Sequence, residues 1–334
     1  MKRVPFEQIH QELKRIHLKM GFTEARADLS ARLFTAASLD GVYSHGLNRF
    51  PRFISYIQKG YVLIDKEPVL SKQMGALEQW DGQLGPGNLN AWFCMDRAIA
   101  LAQTHGIGLV GLRNTNHWMR GGAYGWQAAD AGMLSICCTN TIPNMPAWGA
   151  KNPVFGNNPL IIGVPKAEGH IVFDTAMTQF SFGKIESYSR AGKMLPVAGG
   201  FDTKGEVTQD PKEIEKSGRA LPFGFWKGSG LSLMLDLLAS GLSEGLSTTQ
   251  IGAQKEDEYG LSQLFIAINP FSTGSKAHFE QVIKETLAAI HAAEPAAEGE
   301  QAFYPGERTL LTRKENTTLG IPVDEAYWAE IQAM

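Results

Sequence analysis

The chain has 334 residues, 43% of them hydrophobic, with 31 Lys and Arg against 34 Asp and Glu and a formal net charge of −3. That length and apolar share suit one large or two ordinary domains around a substantial core. Charge is spread without a long run of either sign, which excludes nucleic acid as a partner, and no stretch approaches the roughly 18–20 consecutive apolar residues of a membrane span.

The basic N-terminus MKRVPFEQIHQELKRIHLKMG leads into a mixed-charge amphipathic stretch and not an apolar leader, so a cytoplasmic protein is expected. Phe6, Ile9, Leu13, Ile16 and Met20 recur at helical spacing up to Gly21. Thr23 suits the N-cap of a second helix carrying Leu29, Leu33 and Ala37, and Pro51 suits the first turn of a third that ends at Gly60. The elbow between the second and third helices reads GVYSHGLNRF and holds His45, with Arg49 four positions on.

From about residue 76 short apolar runs alternate with helical patterns. Strands are expected at 107–112, 134–138, 160–164 and 171–173, helices at 89–104 and 124–131, then a long helix at 231–243 and a strand at 263–268. Two tail helices, 278–292 and 324–333, are separated by a segment that includes the loose stretch EPAAEG at 294–299. The tail is expected to return to the first helices, giving a discontinuous helical domain of residues 1–75 with 280–334 around an α/β cofactor- and substrate-binding domain of residues 76–279.

HGIGLVG at 105–111 contains GxGxxG, but a helix precedes the glycines and strand residues lie between them. A dinucleotide-binding turn needs the reverse order, because the pyrophosphate rests on the N-terminus of the helix that follows. The classical Rossmann reading is therefore rejected. Cys94, Cys137 and Cys138 form no CxxC pair and no disulfide framework; adjacent Cys137 and Cys138 are expected on opposite faces of a strand as buried thiols, and no metal site is expected.

Five stretches could carry chemistry. His45 and Arg49 pair a group that titrates near neutrality with a fork for a carboxylate, a combination suited to an α-oxo or α-hydroxy acid, though a cap and a solvated charge would read the same. His117 and Arg120 follow a strand in NTNHWMRGGAYGW, where glycines admit a ligand to the backbone or simply open a helix. Asp174 ends the strand HIVFDTA and could orient a histidine, hold a nicotinamide or ribose group, or cap a helix. Trp226 and Lys227 precede a Gly-Ser-Gly that opens the long helix, where a cofactor phosphate would meet both a lysine and a helix N-terminus; core packing and a surface charge are the plain alternative. YPGER at 304–308 is the last.

The order SHGLNR, NHWMRGG, YGWQAA, PAWGAK, LPVAGGFD, GFWKGSG and DEYGLSQLFIAI resembles, from end to end, the malate/L-lactate dehydrogenase family of type 2, which lacks a Rossmann fold. The resemblance implies a three-layer α/β/α domain on a mixed sheet plus a discontinuous helical domain. It implies an NAD(H)- or NADP(H)-linked oxidoreductase of a small-molecule 2-oxo acid, without metal, acting as a homodimer with sites near the subunit interface.

The same resemblance assigns the proton donor to His45 and the substrate carboxylate to Arg49. Cofactor contacts fall on His170, Ile171, Val172, Phe173, Asp174, Thr175 and Ala176, on Trp226 and Lys227, and on Gly306, Glu307 and Arg308. His117 and Arg120 are substrate contacts, and Asp174 has either an orienting or a cofactor role. Family members commonly carry NHFG-type sequences where this chain has NHWMRGG, so Trp118 and Arg120 are expected to favour a polar sugar acid. YPGER departs from the pattern at its end, which bears on Arg308 and on NAD versus NADP choice. Malate, lactate, a ureidoglycolate-like acid or a cyclic imino acid are the alternatives within the family, and a non-catalytic sugar-acid binding protein is the alternative outside it.

Overall fold

The computed structural model describes residues 2–254 and 257–334. A short strand, β1 (Lys2–Val4), precedes α1 (Phe6–Lys19) and α2 (Glu24–Leu39), which pack together and bury Ile9, Leu13, Ile16, Ala27, Ala31 and Phe34. Thr23 holds the extended N-cap conformation of α2. Two single 3-10 turns, Tyr43–His45 and Leu47–Arg49, lead into α3 (Phe50–Gln58), whose first turn contains Pro51.

Gly46, between these turns, fixes the elbow. A Cβ there would lie 2.2 Å from Ser38 Oγ and 2.9 Å from the Phe34 carbonyl oxygen. Only glycine lets the chain come this close to α2, and the Leu47 N–H then donates to Ser38 Oγ at 2.8 Å.

The hairpin β2 (Val69–Met74) and β3 (Leu77–Asp81) leads to α4 (Gly87–His105), β4 (Ile107–Thr115), α5 (Gly122–Asp130) and β5 (Leu134–Thr139). A small pair, β6 (Met145–Pro146) and β7 (Pro153–Phe155), precedes β8 (Leu160–Val164) and β9 (Ile171–Thr175). An excursion of α6 (Phe182–Arg190), β10 (Gly200–Phe201), β11 (Val207–Thr208) and α7 (Pro211–Ser217) follows. Then come α8 (Trp226–Ser243), α9 (Thr248–Ala253) and β12 (Leu261–Ile268).

The main sheet runs β2-β3-β4-β12-β5-β8-β9, with β3 and β4 parallel and every other neighbour antiparallel. Helices α4 and α5 cover one face and α8 packs on the other, the expected three layers. Cys137 joins the core under α4 and α5 while Cys138 joins the one under α8, as strand alternation requires, and all three cysteines are buried and free.

Gly106 caps α4 in the left-handed region at φ 82° and β4 starts at the next residue. Gly108 and Gly111 are packing glycines: added Cβ atoms would lie 2.2 Å from the Ala98 carbonyl oxygen on α4 and 2.8 Å from that of Leu242 on α8. The GxGxxG string thus seats a strand between two helices and forms no phosphate cradle.

The tail holds α10 (Lys276–His291), α11 (Glu307–Leu319), β13 (Ile321–Val323) and α12 (Glu325–Ala333). β13 pairs antiparallel with β1, and Trp328 and Ile331 of α12 enter the core of α1 to α3. β13 and α12, residues 321–333, thus meet the first elements of the chain. Two readings need correction. The long helix starts at Trp226, not 231, because Gly228 is a helical residue whose bare Cα packs against the carbonyls of Phe223 and Met177. The helix α11 was not expected at all, since its mixed-polarity face buries only Asn316. Among the described residues no helix is long and apolar enough to cross a membrane.

Candidate active site

A cleft of about 1830 Å³ lies between the helical layer and the α/β layer and receives the elbow, the loop after β4, the end of β9 and the start of α11. His45 enters from the elbow, with Ser44 Oγ 3.0 Å from its Nδ1. His117 enters from the loop after β4, its ring 5.8 Å from that of His45 and inclined by 27°.

The loop is held by its neighbour Asn116, whose Nδ2 donates to the carbonyls of Tyr61, Leu84 and Gly85 at 2.8–3.1 Å. The Met119 N–H donates to His117 Nδ1 at 2.9 Å, so the neutral ring carries its proton on Nε2, toward other partners. Loss of solvent, with Arg49 and Arg120 adding, lowers the His45 pKa to about 4. His117 is pushed well below the ordinary range by burial first and then by Arg49, His45 and Arg52. Both rings are therefore neutral at pH 7, held so by burial and by the arginines nearest to them.

Arg49 points across the cleft toward Glu258, with Nη2 4.0 Å from Oε1. Arg120 is buried and paired with Asp40 at the end of α2. The same Asp40 carboxylate accepts from Arg313 of α11 at 2.5 and 2.7 Å. Arg120 Nε is buried and has no partner among the described residues.

Asp174 accepts from the Gly122 N–H at 2.8 Å and so anchors the first turn of α5. Burial raises its pKa, while Arg120 and the Gly122 N–H pull it back. A Cβ on Gly122 would lie 2.8 Å from Asp174 Oδ2, so the glycine pair of NHWMRGG makes room for this carboxylate. Among the described residues Asp174 makes no hydrogen bond to His45.

The strand 170–176 and the YPGER segment, far apart in sequence, lie side by side. Val172 N–H donates to the Pro305 carbonyl at 3.1 Å, and Gly306, at φ +93°, packs so close that a Cβ would lie 3.0 Å from Val172 N. Val172, Phe173, Asp174, Ala176, Gly306 and Arg308 line the cleft, and Arg308 lies over the Phe303 ring at 4.5 Å.

The other expected cofactor residues do not line it. His170 turns to Asp130 at 2.8 Å and accepts from the Lys166 N–H at 3.1 Å. Glu307 accepts from the Tyr304 N–H at 3.1 Å and meets His291 at 2.9 Å. Ile171 and Thr175 sit on β9 away from the cavity. Trp226 and Lys227 form the first turn of α8 outside it, with the Trp226 side chain 64% exposed.

Three groups escaped the sequence reading: Glu258, which lines the cleft, and Asp40 and Arg313, which stand behind Arg120. Glu258 stood in the DEYG stretch before the central strand, the one signal that could have found it. Asp40 and Arg313 are 273 positions apart and only the fold joins them.

A family model described as malate/L-lactate dehydrogenase matches residues 4–332. The chain belongs to this family. Proteins named 2,3-diketo-L-gulonate reductase from Citrobacter koseri and Escherichia coli are each 46% identical over 332 residues, covering 99% of this chain and 100% of theirs.

Among solved structures, malate dehydrogenase from Entamoeba histolytica superposes with a TM-score of 0.94 at 26% identity, covering 99% of this chain and 96% of that one. Delta1-piperideine-2-carboxylate reductase from Pseudomonas syringae gives 0.89 at 30%, covering 100% and 99%. The family resemblance and the three-layer mixed-sheet fold read from the motifs are borne out. Membership makes the protein an oxidoreductase and implies a nicotinamide cofactor.

Proposed function

We propose that this protein reduces a 2-oxo sugar acid, 2,3-diketo-L-gulonate to 3-keto-L-gulonate, with NADH or NADPH as the electron source. The observation that carries the reading is the convergence of His45, His117, Arg49 and Arg120 on one cleft whose far wall is β9 and Gly306. Full-length relatives that bear the name 2,3-diketo-L-gulonate reductase support the choice of acid.

The far wall fits a dinucleotide. Gly306 lets the start of α11 pack tightly on β9, so that α11 presents its N-terminus beside that strand, and Arg308 supplies a cation for phosphate charge. Val172, Phe173, Asp174, Ala176, Gly306 and Arg308 would hold it. The cofactor, when bound, supplies a hydride to the C2 carbonyl carbon.

The chain's own residues do the rest. Arg49 takes the substrate carboxylate and fixes the position of C2. His45 holds the proton that the C2 alkoxide oxygen needs. In the free cleft this ring is neutral, because it is desolvated beside Arg49 and Arg120. A carboxylate seated on Arg49 removes part of that repulsion, so the imidazolium forms as substrate enters; the neutral ring is the base for the reverse oxidation. His117, with its Nε2–H free of the backbone, donates to the carbonyl or a neighbouring oxygen.

The homodimer is proposed on the same footing. Met234, Leu237 and Leu238 of α8 and the row Ile136, Ile162 and Phe173 across β5, β8 and β9 are exposed, an apolar face that continues to the cofactor wall. Nicotinamide oxidation by the purified protein, with NADH and then NADPH against 2,3-diketo-L-gulonate, pyruvate and oxaloacetate, tests the function. Turnover confined to pyruvate or oxaloacetate would replace the sugar acid by a simpler one.

A further inference from the structure

One wall of the cleft is richer in hydrogen-bonding groups than the reduction of a carbonyl requires. Glu258 is 8% exposed, and its Oε2 accepts from the Ile142 N–H at 3.2 Å. Its other oxygen, Oε1, stands 4.0 Å from Arg49 Nη2, beyond hydrogen-bond reach, and among the described residues nothing donates to it.

Next to Ile142, Thr141 Oγ1 donates to Asn157 Oδ1 at 3.0 Å, and Asn144 Nδ2 donates to the same oxygen at 3.0 Å. With Oδ1 doubly engaged, the amide of Asn157 is fixed and its Nδ2 is left as a donor without a partner among the described residues. Asn157, Thr141, Asn144 and Glu258 all line the cleft with Arg49. The wall therefore offers a carboxylate acceptor and an amide donor next to the arginine proposed for the substrate carboxylate.

From this placement we infer that Glu258 and Asn157 form a subsite that reads the hydroxyl groups of a polyhydroxylated 2-oxo acid. The inference rests on the proposed reduction of a 2-oxo acid in this cleft. A hydroxyl both donates and accepts, so neighbouring hydroxyls satisfy Glu258 Oε1 and Asn157 Nδ2 together. A methyl tail leaves both without a ligand partner, Glu258 in a buried position and Asn157 in a half-buried one, and a carboxylate tail sets an anion against Glu258. Sites built to bond a hydroxyl reject analogues that lack it far more sharply than apolar pockets reject a missing methylene. Glu258 thus selects for hydroxyls and against a second carboxylate.

Calorimetric titration of the protein at pH 8 with L-gulonate, L-lactate and L-malate, in the presence of NADH, tests this without turnover, because nucleotide and acids are all already reduced. The expected order of affinity is gulonate, then lactate, then malate, with gulonate ahead of malate by about tenfold or more. In Glu258→Gln the amide oxygen keeps the Ile142 N–H and a donor replaces the free acceptor. The ratio of gulonate to malate affinity should then fall at least fivefold, through weaker gulonate and stronger malate binding.

Asn157→Ala should lower the ratio of gulonate to lactate affinity. A Glu258→Gln protein that weakens all three acids in proportion would show a supporting role for Arg49 only and overturn the inference. So would an unmodified protein that shows no preference among the three acids or binds none. Selective gulonate binding without turnover of 2,3-diketo-L-gulonate would remove the proposed reaction and leave the subsite standing.

Discussion

His45 and His117 face each other across the cleft with ring centroids 5.8 Å apart, and each arrives from a different layer of the fold. The elbow of the helical layer brings one and the loop after β4 the other, so the pair exists only when the two layers are docked. Arg49, which lowers the pKa of both rings, lies beside them and faces Glu258.

The proton assignment is tested by His45→Ala. General acid catalysis by a placed side chain is worth about 10²- to 10⁴-fold, so kcat should fall by that factor. The thermal midpoint and the NADH affinity, measured by fluorescence titration, should change little, because His45 is only partly buried and sits outside the cofactor wall. Activity equal to that of the unmodified protein would remove His45 from the mechanism.

The protonation state gives a second test. His45 has its pKa lowered to about 4 in the free cleft by burial, Arg49 and Arg120, so the proposed proton-donor role requires that at pH 6–7 it gain a proton when an anionic oxo acid occupies Arg49. Other titratable groups near the site are His117, Glu258 and Asp174. Calorimetry of oxo-acid binding in two buffers of different ionisation enthalpy should report proton uptake in the unmodified protein and markedly less in His45→Gln. Equal uptake in both would place the proton on one of the other groups.

Asp40 carries Arg120 and Arg313 on a single buried carboxylate, joining α2, the β4 loop and α11. Asp40→Asn removes the charge and leaves Arg120 buried beside Asp174 alone. Removing one partner of a buried ion pair typically costs about 3–5 kcal/mol, and urea unfolding should show a loss of that order. Arg120 would also lose its fixed position, so KM for the oxo acid should rise more than kcat falls.

Gly306→Ala tests the cofactor wall. The residue is at φ +93°, and its Cβ would stand 3.0 Å from Val172 N and 3.3 Å from the His170 carbonyl oxygen. A non-glycine residue held in that region costs about 1–3 kcal/mol, and the start of α11 must draw back from β9 to relieve it. The KM for nicotinamide cofactor should rise several-fold, with less change in KM for the oxo acid. An unchanged cofactor KM would place the nucleotide elsewhere.

How much of this was legible in the sequence follows from how local each feature is. The elbow, the rejected dinucleotide turn and the strands of the α/β layer rest on glycine placement and apolar period, which a short window contains. The edge hairpin β2 and β3 was missed because all of β2 is exposed and carries no alternating apolar face. Helix α11 was missed because it buries a single asparagine. His45, Arg49, His117 and Arg120 stood out as charged or titratable residues between glycines. Asp40 and Glu258 did not, since an aspartate at a helix end and a glutamate before a strand are ordinary until the fold sets arginines beside them.

His17 provides a test of the helical layer that does not involve the cleft. The ring is fully buried against Phe22, Phe50 and Phe53, its Nδ1–H donates to the Leu13 carbonyl at 2.7 Å, and Nε2 has no partner among the described residues. Burial lowers its pKa to about 4, against 6.5 in an exposed chain. The unfolded chain therefore binds a proton between these values while the folded one refuses it. The stability His17 allows is fully present above about pH 6.5 and is lost as pH falls toward 4, at about 1.4 kcal/mol per pH unit and about 3 kcal/mol over the whole window. Urea unfolding of the unmodified protein and of His17→Leu at pH 7.5 and 4.5 isolates this group, because all other titrations are shared. The loss between the two pH values should be smaller in His17→Leu by about 2–3 kcal/mol. An identical loss in both proteins would mean that the ring takes its proton without leaving the core, through an opening of α1 that admits water.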